Sequence, residues 1–328
     1  MKVLVTGAEG MLGHDVVRVA EDIRHQVVAV GHDDLDVTDP ARVDRLITRE
    51  RPGAVINCAG WTNVDGAEEF EREASVVNAQ GAGFVADAAN KVDAKVVYVS
   101  TDYVFDGTDG PYGESDDANP INAYGRTKLA GERATALVNA RSFIVRSSWL
   151  FGPHGGNFVE TMLRLGQDGG PVVVVHDQVG CPTYTGHLAV GLLRLIDTAA
   201  YGIHHMSGEG SCSWYEFALE IFRQAEVVTR VMASTSDMME RPAKRPANSV
   251  LISRRSAPIE LPPWQRGLSD YLARRGHDEE EGPRKRSSAS RRQPMLDWTK
   301  REREERAAEG EEITGEHEIQ SDEGQDAA

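Results

Sequence analysis

Cysteine is scarce in this chain of 328 residues, which has three: Cys58, Cys181 and Cys212. Their number is odd, they lie far apart, and their spacing matches no metal-binding motif, so the sequence predicts neither a disulfide framework nor a metal site. We expect three small apolar side chains in a protein of a reducing compartment.

Long apolar runs are also missing. No run of about 18 apolar residues occurs, so the sequence predicts no transmembrane helix. The first residues, MKVLVTGAEG, hold one lysine, a very short apolar run and no cleavage-like site, which is not typical of a signal peptide. We therefore expect a cytoplasmic protein that has no membrane partner.

Positive charge is outnumbered by negative charge. The chain has 36 Lys and Arg against 52 Asp and Glu, which gives a formal net charge of −16. Because DNA and RNA are polyanions, such a surface repels them. We expect no nucleic-acid partner.

Apolar residues become rare toward the C-terminus. Residues 274–328 combine few apolar side chains with dense mixed charge, as in HDEEEGPRKRSSASRRQP. Such a segment cannot bury enough surface to offset the entropy lost on ordering. We predict a disordered tail over 274–328 and expect that its deletion leaves folding and turnover unchanged.

Short apolar segments alternate with segments of helical spacing in the first half of the chain. The predicted strands lie in KVLVT, HQVVAVG, AVINCAG, AKVVYVST and SFIVRSSWLFG. This alternation predicts an α/β fold with a doubly wound, Rossmann-type parallel sheet. We expect residues 1–152 to form mainly a dinucleotide-binding domain, and residues 153–273 mainly a smaller substrate-binding part over the strand ends.

Three glycines follow the first predicted strand in the pattern G-x-x-G-x-x-G. Gly7 would allow the tight turn, Gly10 would let the backbone approach a pyrophosphate, and Gly13 would allow close helix–sheet packing. Met11 and Leu12 begin the following helix, whose N-terminal N–H groups favour phosphate. The pattern predicts a dinucleotide site; a plain glycine-rich turn is the alternative.

The second predicted strand ends in acidic residues. Asp33 lies 20 residues past Gly13, where a carboxylate can accept hydrogen bonds from the adenosine ribose. Asp36 and Val37 are predicted to contact the adenine edge. No Lys or Arg occurs within residues 31–41 to hold a 2′-phosphate, which favours NADH over NADPH without deciding between them. The alternative is that these acids only solvate a loop.

The third and fourth predicted strands end in NCAG and STD. Because the carboxyl ends of parallel strands share one edge of a sheet, Cys58, Ala59 and Gly60 are expected to face the same cofactor cleft as Thr101. A loop and a helix follow Thr101. The loop is long enough to bring this helix back across the strand end.

That helix holds Tyr124 and Lys128, four residues apart in NAYGRTKLAGE. Alone, the spacing indicates only two neighbours on a helix surface. Beside a nicotinamide, which supplies hydride, Tyr124 could give a proton to a ketone oxygen. Lys128, together with the charge of an oxidised nicotinamide, would lower the pKa of Tyr124. Lys128 would also hold the nicotinamide ribose, and Thr101 would hydrogen-bond the substrate oxygen.

Together these motifs resemble the dTDP-4-dehydrorhamnose reductase family of extended short-chain dehydrogenases/reductases. The similarity runs from residue 1 to about residue 272 through TGAEGMLG, NCAG, STDYVFDG, NAYGRTKLAGE, RSSWLFG, VVHDQVGCPT and RPANSVL. The resemblance implies reduction, by NADPH or NADH, of the 4-keto group of a nucleotide-linked 6-deoxyhexose, dTDP-4-dehydro-L-rhamnose. It also implies catalytic roles for Thr101, Tyr124 and Lys128.

For the nucleotide sugar, the resemblance implies contacts with Tyr103, Trp149 and Asn157. A strand-end tryptophan suits stacking on a sugar or thymine, while a core aromatic is the alternative for Trp149. The chain departs from the family pattern at three positions, which leaves the exact sugar and nucleotide open. These are Gly66 in place of a lysine, a bulkier Trp61, and Ile252 in place of an acid.

Two other functions fit the same motifs. One is a nucleotide-sugar epimerase or dehydratase of the same fold, although Tyr103 stands where the dehydratases have glutamate. The other is a nonenzymatic regulatory subunit of methionine adenosyltransferase. The sequence also leaves a homodimer open.

Overall fold

The structure is a computed structural model that describes residues 1–280. Its strands alternate with helices from the first residues onward, as the sequence predicts. In chain order the elements are β1 Lys2–Thr6, α1 Met11–Asp22, β2 Gln26–Val30, α2 Pro40–Glu50, β3 Ala54–Asn57, α3 Gly66–Glu69, α4 Glu71–Ser75, a π-helix Val76–Gly81, α5 Ala82–Lys91, β4 Lys95–Thr101, a 3₁₀ turn Asp102–Val104, α6 Ala123–Val138, β5 Ser142–Ser147, β6 Leu150–Phe151, α7 Phe158–Gln167, β7 Val172–Val175, β8 Val179–Gly180, β9 Thr183–Tyr184, α8 Thr185–Ile196, β10 Gly202–His205, β11 Cys212–Ser213, α9 Trp214–Gln224, β12 Val231–Ser234, a 3₁₀ turn Ser236–Met238 and α10 Trp264–Glu280.

Six strands form one parallel sheet in the order β2-β1-β3-β4-β5-β10. Both faces are covered by helices, so successive side chains of β1 are buried on opposite sides. Val3 and Val5 share a core cluster with α1 and α8, whereas Leu4 packs with α2 and α5. This confirms the predicted α/β class with a doubly wound, Rossmann-type sheet.

The chain reverses its direction of winding between β1 and β3. From β1 it runs outward to β2, then returns to β3 on the other side and continues to β4 and β5. In open parallel sheets, ligands bind in the crevice beyond the strand ends at this point. The loops after β1, β3 and β4 therefore define one cleft.

Part of the second half of the chain belongs to this sheet. Strand β10 pairs with β5, and α8 packs against α1 across the first core cluster. A separate cluster joins α7, α9 and α10 around Phe151 and Phe217. The chain beyond residue 152 thus supplies both Rossmann elements and a second packed unit.

The last helix passes through the predicted start of the tail at residue 274. Helix α10 continues to Glu280, Arg274 contacts the fully buried carboxylate of Asp15, and Arg275 donates to Glu160 at 2.9 Å. The boundary expected from composition therefore lies inside a helix, because two arginines in a charged stretch meet acids of α1 and α7. The rest of the predicted tail lies outside the described residues.

Candidate active site

The turn after β1 has the geometry predicted for the glycine motif. Gly7 has φ +62°, and a Cβ there would lie 2.7 Å from the backbone nitrogen of Ala59. A Cβ on Gly13 would lie 2.1 Å from the carbonyl oxygen of Gly7. Both positions exclude a side chain, so the turn sits tightly between β3 and α1.

Helix α1 begins beside this turn without a side-chain cap. Gly10 is the N-cap residue and has extended backbone, Met11 is partly exposed, and Leu12 is buried. The first N–H groups of a helix have no partner within the helix, so they are available to an anion at this end. The glycine turn and α1 fit the pyrophosphate of a dinucleotide.

The loop after β2 holds its acidic side chains in different surroundings. Asp33 is exposed and free to face a ribose. Asp36 instead accepts hydrogen bonds from the N–H and hydroxyl of Thr38, at 2.9 and 2.7 Å. Burial raises the pKa of Asp36, but these hydrogen bonds and the charges of His32 and Arg42 outweigh it, so the pKa lies below its ordinary value.

Two further residues bear on the adenosine end of the cleft. Val37 is buried in the core with α2 and α5, so its side chain supports the loop from below. Arg42, one residue past the segment 31–41 that lacks Lys and Arg, donates to the backbone oxygen of Asp34 at 2.8 Å. An arginine thus stands beside this loop.

Thr101, Tyr124 and Lys128 converge where β4 and α6 meet. Thr101 is the last residue of β4, and Tyr124 and Lys128 lie on the first turns of α6. Asn122 caps α6 by accepting from the N–H of Gly125 at 2.7 Å, which fixes where the helix begins. The Thr101 hydroxyl and the Tyr124 phenol lie within hydrogen-bonding reach of each other.

The pKa of Tyr124 lies above its ordinary value. Burial is the main cause and the charge of Asp102 adds to it, while hydrogen bonding with Thr101 opposes both. This differs from the expected lowering by Lys128. The ammonium group of Lys128 donates to the carbonyl oxygen of Val99 at 2.6 Å and lies 4.2 Å from the centroid of the Tyr98 ring.

Lys128 is itself buried close to the end of β3. Burial lowers its pKa to about 8, while the charges of Glu132 and Cys58 act in the opposite direction. A Cβ on Gly60 would lie 3.7 Å from the ammonium nitrogen, so Gly60 leaves room for it. Cys58 and Gly60 therefore lie next to Lys128, at the end of β3.

Sequence reasoning missed the role of Asn78 in the π-helix. Its side chain accepts from the N–H of Trp61 at 2.8 Å and donates to the Thr127 hydroxyl at 3.0 Å. Its carbonyl oxygen accepts from the Tyr98 hydroxyl at 2.9 Å. A π-turn releases a backbone carbonyl from the helix pattern, and here that carbonyl orients the ring beneath Lys128. A polar residue inside VVNAQG was the only signal in the sequence.

Asp102 was also missed, although it follows Thr101 directly. Its side chain is 2% exposed, accepts from Thr101 at 3.0 Å through Oδ1, and accepts from Ser249 at 2.6 Å through Oδ2. Burial raises its pKa to about 7, against the lowering effect of both hydroxyls. A buried, perturbed carboxyl beside a predicted catalytic residue is typical of a functional site.

The predicted sugar-binding residues fall into different surroundings. Tyr103 lies edge-on to Tyr124, with 6.1 Å between ring centroids. Trp149 has an unusual φ of +47° and stacks on Trp214 with 3.5 Å between centroids. Asn157 caps α7 through the N–H of Glu160 and donates to Gly152. Tyr103 therefore lies beside Tyr124, and the Asn157 side chain is engaged in its own loop.

The three departures from the family pattern lie in two places. Trp61 packs in a small cluster with Tyr124, and its indole N–H donates to the backbone of Asn63 at 2.9 Å. Gly66 begins α3 against the Asn63 side chain. Ile252 is 37% exposed and accepts from His205 through its carbonyl oxygen. Of the three, Trp61 is the one that packs against the same small cluster as a predicted catalytic residue, Tyr124.

No group of three or more His, Cys, Asp or Glu side chains that could hold a metal occurs within residues 1–280. In the same residues, no helix is long and apolar enough to cross a membrane.

The comparisons agree with these motifs. A family model described as RmlD substrate binding domain matches residues 1–276. A dTDP-4-dehydrorhamnose reductase of Aggregatibacter actinomycetemcomitans is 39% identical over 289 residues, covering 83% of this chain and 98% of the relative. A dTDP-4-keto-6-deoxy-D-glucose reductase of Streptomyces niveus is 43% identical over 251 residues, covering 76% of this chain and 87% of the relative.

A solved structure is similar over the same region. The dTDP-4-dehydrorhamnose reductase of Bacillus anthracis, in complex with NADP, matches with a TM-score of 0.81 and 39% identity, covering 83% of this chain and 99% of that one. The family match, the sequence relatives and the fold all coincide with the segment that carries the glycine turn and the Thr101, Tyr124 and Lys128 set. The chain belongs to the RmlD substrate binding domain family.

Proposed function

We propose that this protein uses NADPH or NADH to reduce the 4-keto group of a dTDP-linked 6-deoxyhexose, first of all dTDP-4-dehydro-L-rhamnose. The convergence of Thr101, Tyr124 and Lys128 beside the glycine turn carries the proposal. Relatives that are similar over most of their length are reductases of such 4-keto sugars.

The residues around Tyr124 suit it as a proton donor. A bound reduced nicotinamide supplies the hydride to the ketone carbon. Because burial raises the pKa of Tyr124, its phenol is protonated at neutral pH. Tyr124 gives this proton to the ketone oxygen, so that the carbon–oxygen double bond becomes an alcohol. Thr101 holds the same oxygen in place.

Lys128 stabilises the phenolate that Tyr124 becomes after it has given up its proton. With a pKa of about 8, its side chain is mostly charged at neutral pH. An ammonium group one helical turn from Tyr124 stabilises a phenolate in a buried site, where charges are weakly screened. Lys128 also lies beside Gly60, at the place where a nicotinamide ribose would approach.

The preference between NADH and NADPH depends on two opposite charges near the end of β2. Asp33 favours a free 2′-hydroxyl, whereas Arg42 offers a cation to a 2′-phosphate. The relative of Bacillus anthracis holds NADP. Both cofactors therefore enter the proposal.

We also propose that two parts of the chain bind different ligands. Residues 1–152 mainly bind the dinucleotide, and residues 153–273 mainly bind the nucleotide sugar, apart from the contributions of α8 and β10 to the sheet. Tyr103 and Trp149 are the aromatic candidates for contact with the sugar nucleotide, with Asn157 shaping the loop beside them. The three free thiols fit a reducing cytoplasm, and a homodimer is the assembly that light scattering would test.

A substrate panel tests this function. The purified chain is incubated with NADH or NADPH and either dTDP-4-dehydro-L-rhamnose or dTDP-4-keto-6-deoxy-D-glucose, and products are identified by NMR. One cofactor oxidised per sugar reduced supports the reductase. Interconversion of sugars without net cofactor oxidation would indicate an epimerase. No reaction, together with co-purification of methionine adenosyltransferase, would indicate the regulatory subunit.

A further inference from the structure

The carboxyl group of Asp102 is placed to control the direction of the Thr101 hydroxyl. Asp102 opens the 3₁₀ turn that follows β4, and its side chain is almost fully buried. One carboxyl oxygen faces Thr101 at 3.0 Å and the other faces Ser249 at 2.6 Å. Ser249 is 1% exposed, so neither contact is shared freely with bulk water.

The Thr101 hydroxyl can form only a few hydrogen bonds. A hydroxyl has one proton to donate and two lone pairs to accept with. The N–H of Tyr103 donates to the Thr101 oxygen at 3.1 Å, and the Thr101 proton is directed at Asp102. In this arrangement Thr101 turns its remaining lone pair, and no proton, toward Tyr124 and the cleft.

Protonation of Asp102 would reverse this arrangement. A neutral carboxyl group can donate its proton to the Thr101 oxygen, which then accepts from both Asp102 and Tyr103. Both lone pairs are used, and the Thr101 proton is released toward the cleft. A ketone oxygen needs such a donor, whereas a bare lone pair would repel it.

We propose that Asp102 is a positioning residue whose protonated form orients the Thr101 hydroxyl as a donor to the substrate ketone, with Ser249 holding its other oxygen. This inference rests on the proposed reductase function. Asp102 itself need not touch the substrate, because it acts through Thr101.

The surroundings of Asp102 support a change of protonation near neutrality. Burial raises its pKa to about 7. The titratable groups that sense its charge are Tyr103, Tyr124 and Cys181, and all three have pKa values raised by their own burial. They are neutral near pH 7, so Asp102 is the group among them that changes charge there.

The test compares Asp102→Asn with the wild type from pH 5.5 to 8.5, in both activity and stability. Asparagine resembles the neutral carboxyl group, since it can donate to Thr101 and accept from Ser249. We expect kcat/KM of the wild type to fall about tenfold between pH 6 and pH 8. Asp102→Asn should still reduce the sugar, but its kcat/KM should no longer fall between pH 6 and pH 8 because of Asp102. Its remaining decline should be the one at higher pH, where Lys128 loses its proton. Asp117→Asn, at an exposed acid of the same loop region, should behave as wild type.

Thermal unfolding supplies a readout independent of turnover. The folded pKa of Asp102 is raised, so its contribution to stability is complete below its ordinary pKa and is lost as the pH rises through about 7. The wild type should therefore lose melting temperature relative to Asp102→Asn between pH 5 and pH 8. Ser249→Ala removes a donor to the carboxylate. It should therefore move the activity midpoint, and the pH at which the stability loss levels off, to higher pH.

The outcomes distinguish the positioning role of Asp102 from the proposed reductase function. An activity midpoint near pH 7, together with a loss of stability that levels off near the same pH, supports the positioning role if both are absent from Asp102→Asn. An unchanged activity limb in Asp102→Asn would overturn it, as would a wild-type profile that is flat up to pH 8. Absence of turnover at every pH, with a normal stability titration, would instead refute the reductase.

Discussion

Glu132 and Arg146 form an ion pair inside the protein, with side chains 5% and 3% exposed. Two guanidinium nitrogens of Arg146 lie 2.9 and 2.7 Å from the two oxygens of Glu132, and the hydroxyl of Ser100 donates to the same carboxylate at 2.5 Å. The contact joins α6, which carries Tyr124 and Lys128, to β5 and β4. It thereby fixes the helix against the strand that ends in Thr101.

Removing one partner of this pair is expected to cost stability. Glu132→Gln leaves the guanidinium group of Arg146 buried and uncompensated, which should lower the free energy of unfolding by about 3–5 kcal/mol. Glu71→Gln is the matched control, because Glu71 pairs with Arg126 at the surface. An exposed pair contributes about 1 kcal/mol or less. Equal losses in urea unfolding of the two variants would contradict this reading.

Lys128 is predicted to contribute to both cofactor binding and proton transfer. Lys128→Met keeps an unbranched apolar side chain and removes the charge that lies over Tyr98 and beside Gly60. We expect kcat to fall about 10²–10⁴-fold and the Kd for NADH, measured by fluorescence, to rise. Wild-type activity should also decline as the pH rises above about 8, where Lys128 loses its proton. A Lys128→Met variant with normal kcat would contradict the proposed role.

The end of α10 is predicted to matter where the composition suggested a dispensable tail. Deleting residues 281–328 leaves the contact between Arg274 and Asp15 in place, so the melting temperature should stay close to that of the full chain. Deleting residues 274–328 removes Arg274, and the buried carboxylate of Asp15 then keeps Thr185 and Arg18 as its remaining partners. That variant should melt several degrees lower. Identical melting curves of the two truncated proteins would show that the dispensable tail begins at residue 274, as the composition suggested.

Cofactor preference is predicted to follow the charges at the end of β2. Asp33→Asn removes an exposed carboxylate from the ribose region, which should shift the ratio of NADPH to NADH affinity about tenfold toward NADPH. Arg42→Ala should shift it in the opposite direction by removing the nearby cation. Asp22→Asn, at the far end of α1, is the control. Fluorescence titration of each variant gives both Kd values, and an unchanged ratio in both loop variants would place the 2′-position elsewhere.

Much of the fold could be predicted because buried parallel strands leave continuous apolar runs. KVLVT and AKVVYVST gave the positions of β1 and β4, and the spacing of Gly7, Gly10 and Gly13 gave the turn. Strand β10 lies in the part of the chain that was expected to bind mainly the substrate, and no local signal in the sequence indicates that it pairs with β5.

The residues missed at the site are those defined by tertiary contacts. Asn78 acts through a π-turn, and Asp102 depends on Ser249, which lies 147 positions away. Burial of Lys128 over Tyr98 likewise arises only when α6 closes on β4. Spacing within a motif can place Tyr124 and Lys128 on one face, but it carries no information about which distant chain segments set their pKa values.

Proton donation by Tyr124 is the central claim, and Tyr124→Phe tests it most directly. The absorbance of NADH and NADPH at ~340 nm is followed with dTDP-4-dehydro-L-rhamnose for the wild type, Tyr124→Phe and the control Tyr201→Phe, whose residue precedes β10 at the opposite end of the sheet. We expect rapid oxidation in the wild type and the control, and a loss of about 10²–10⁴-fold in kcat for Tyr124→Phe with cofactor binding retained. Wild-type turnover that Tyr124→Phe preserves would contradict it.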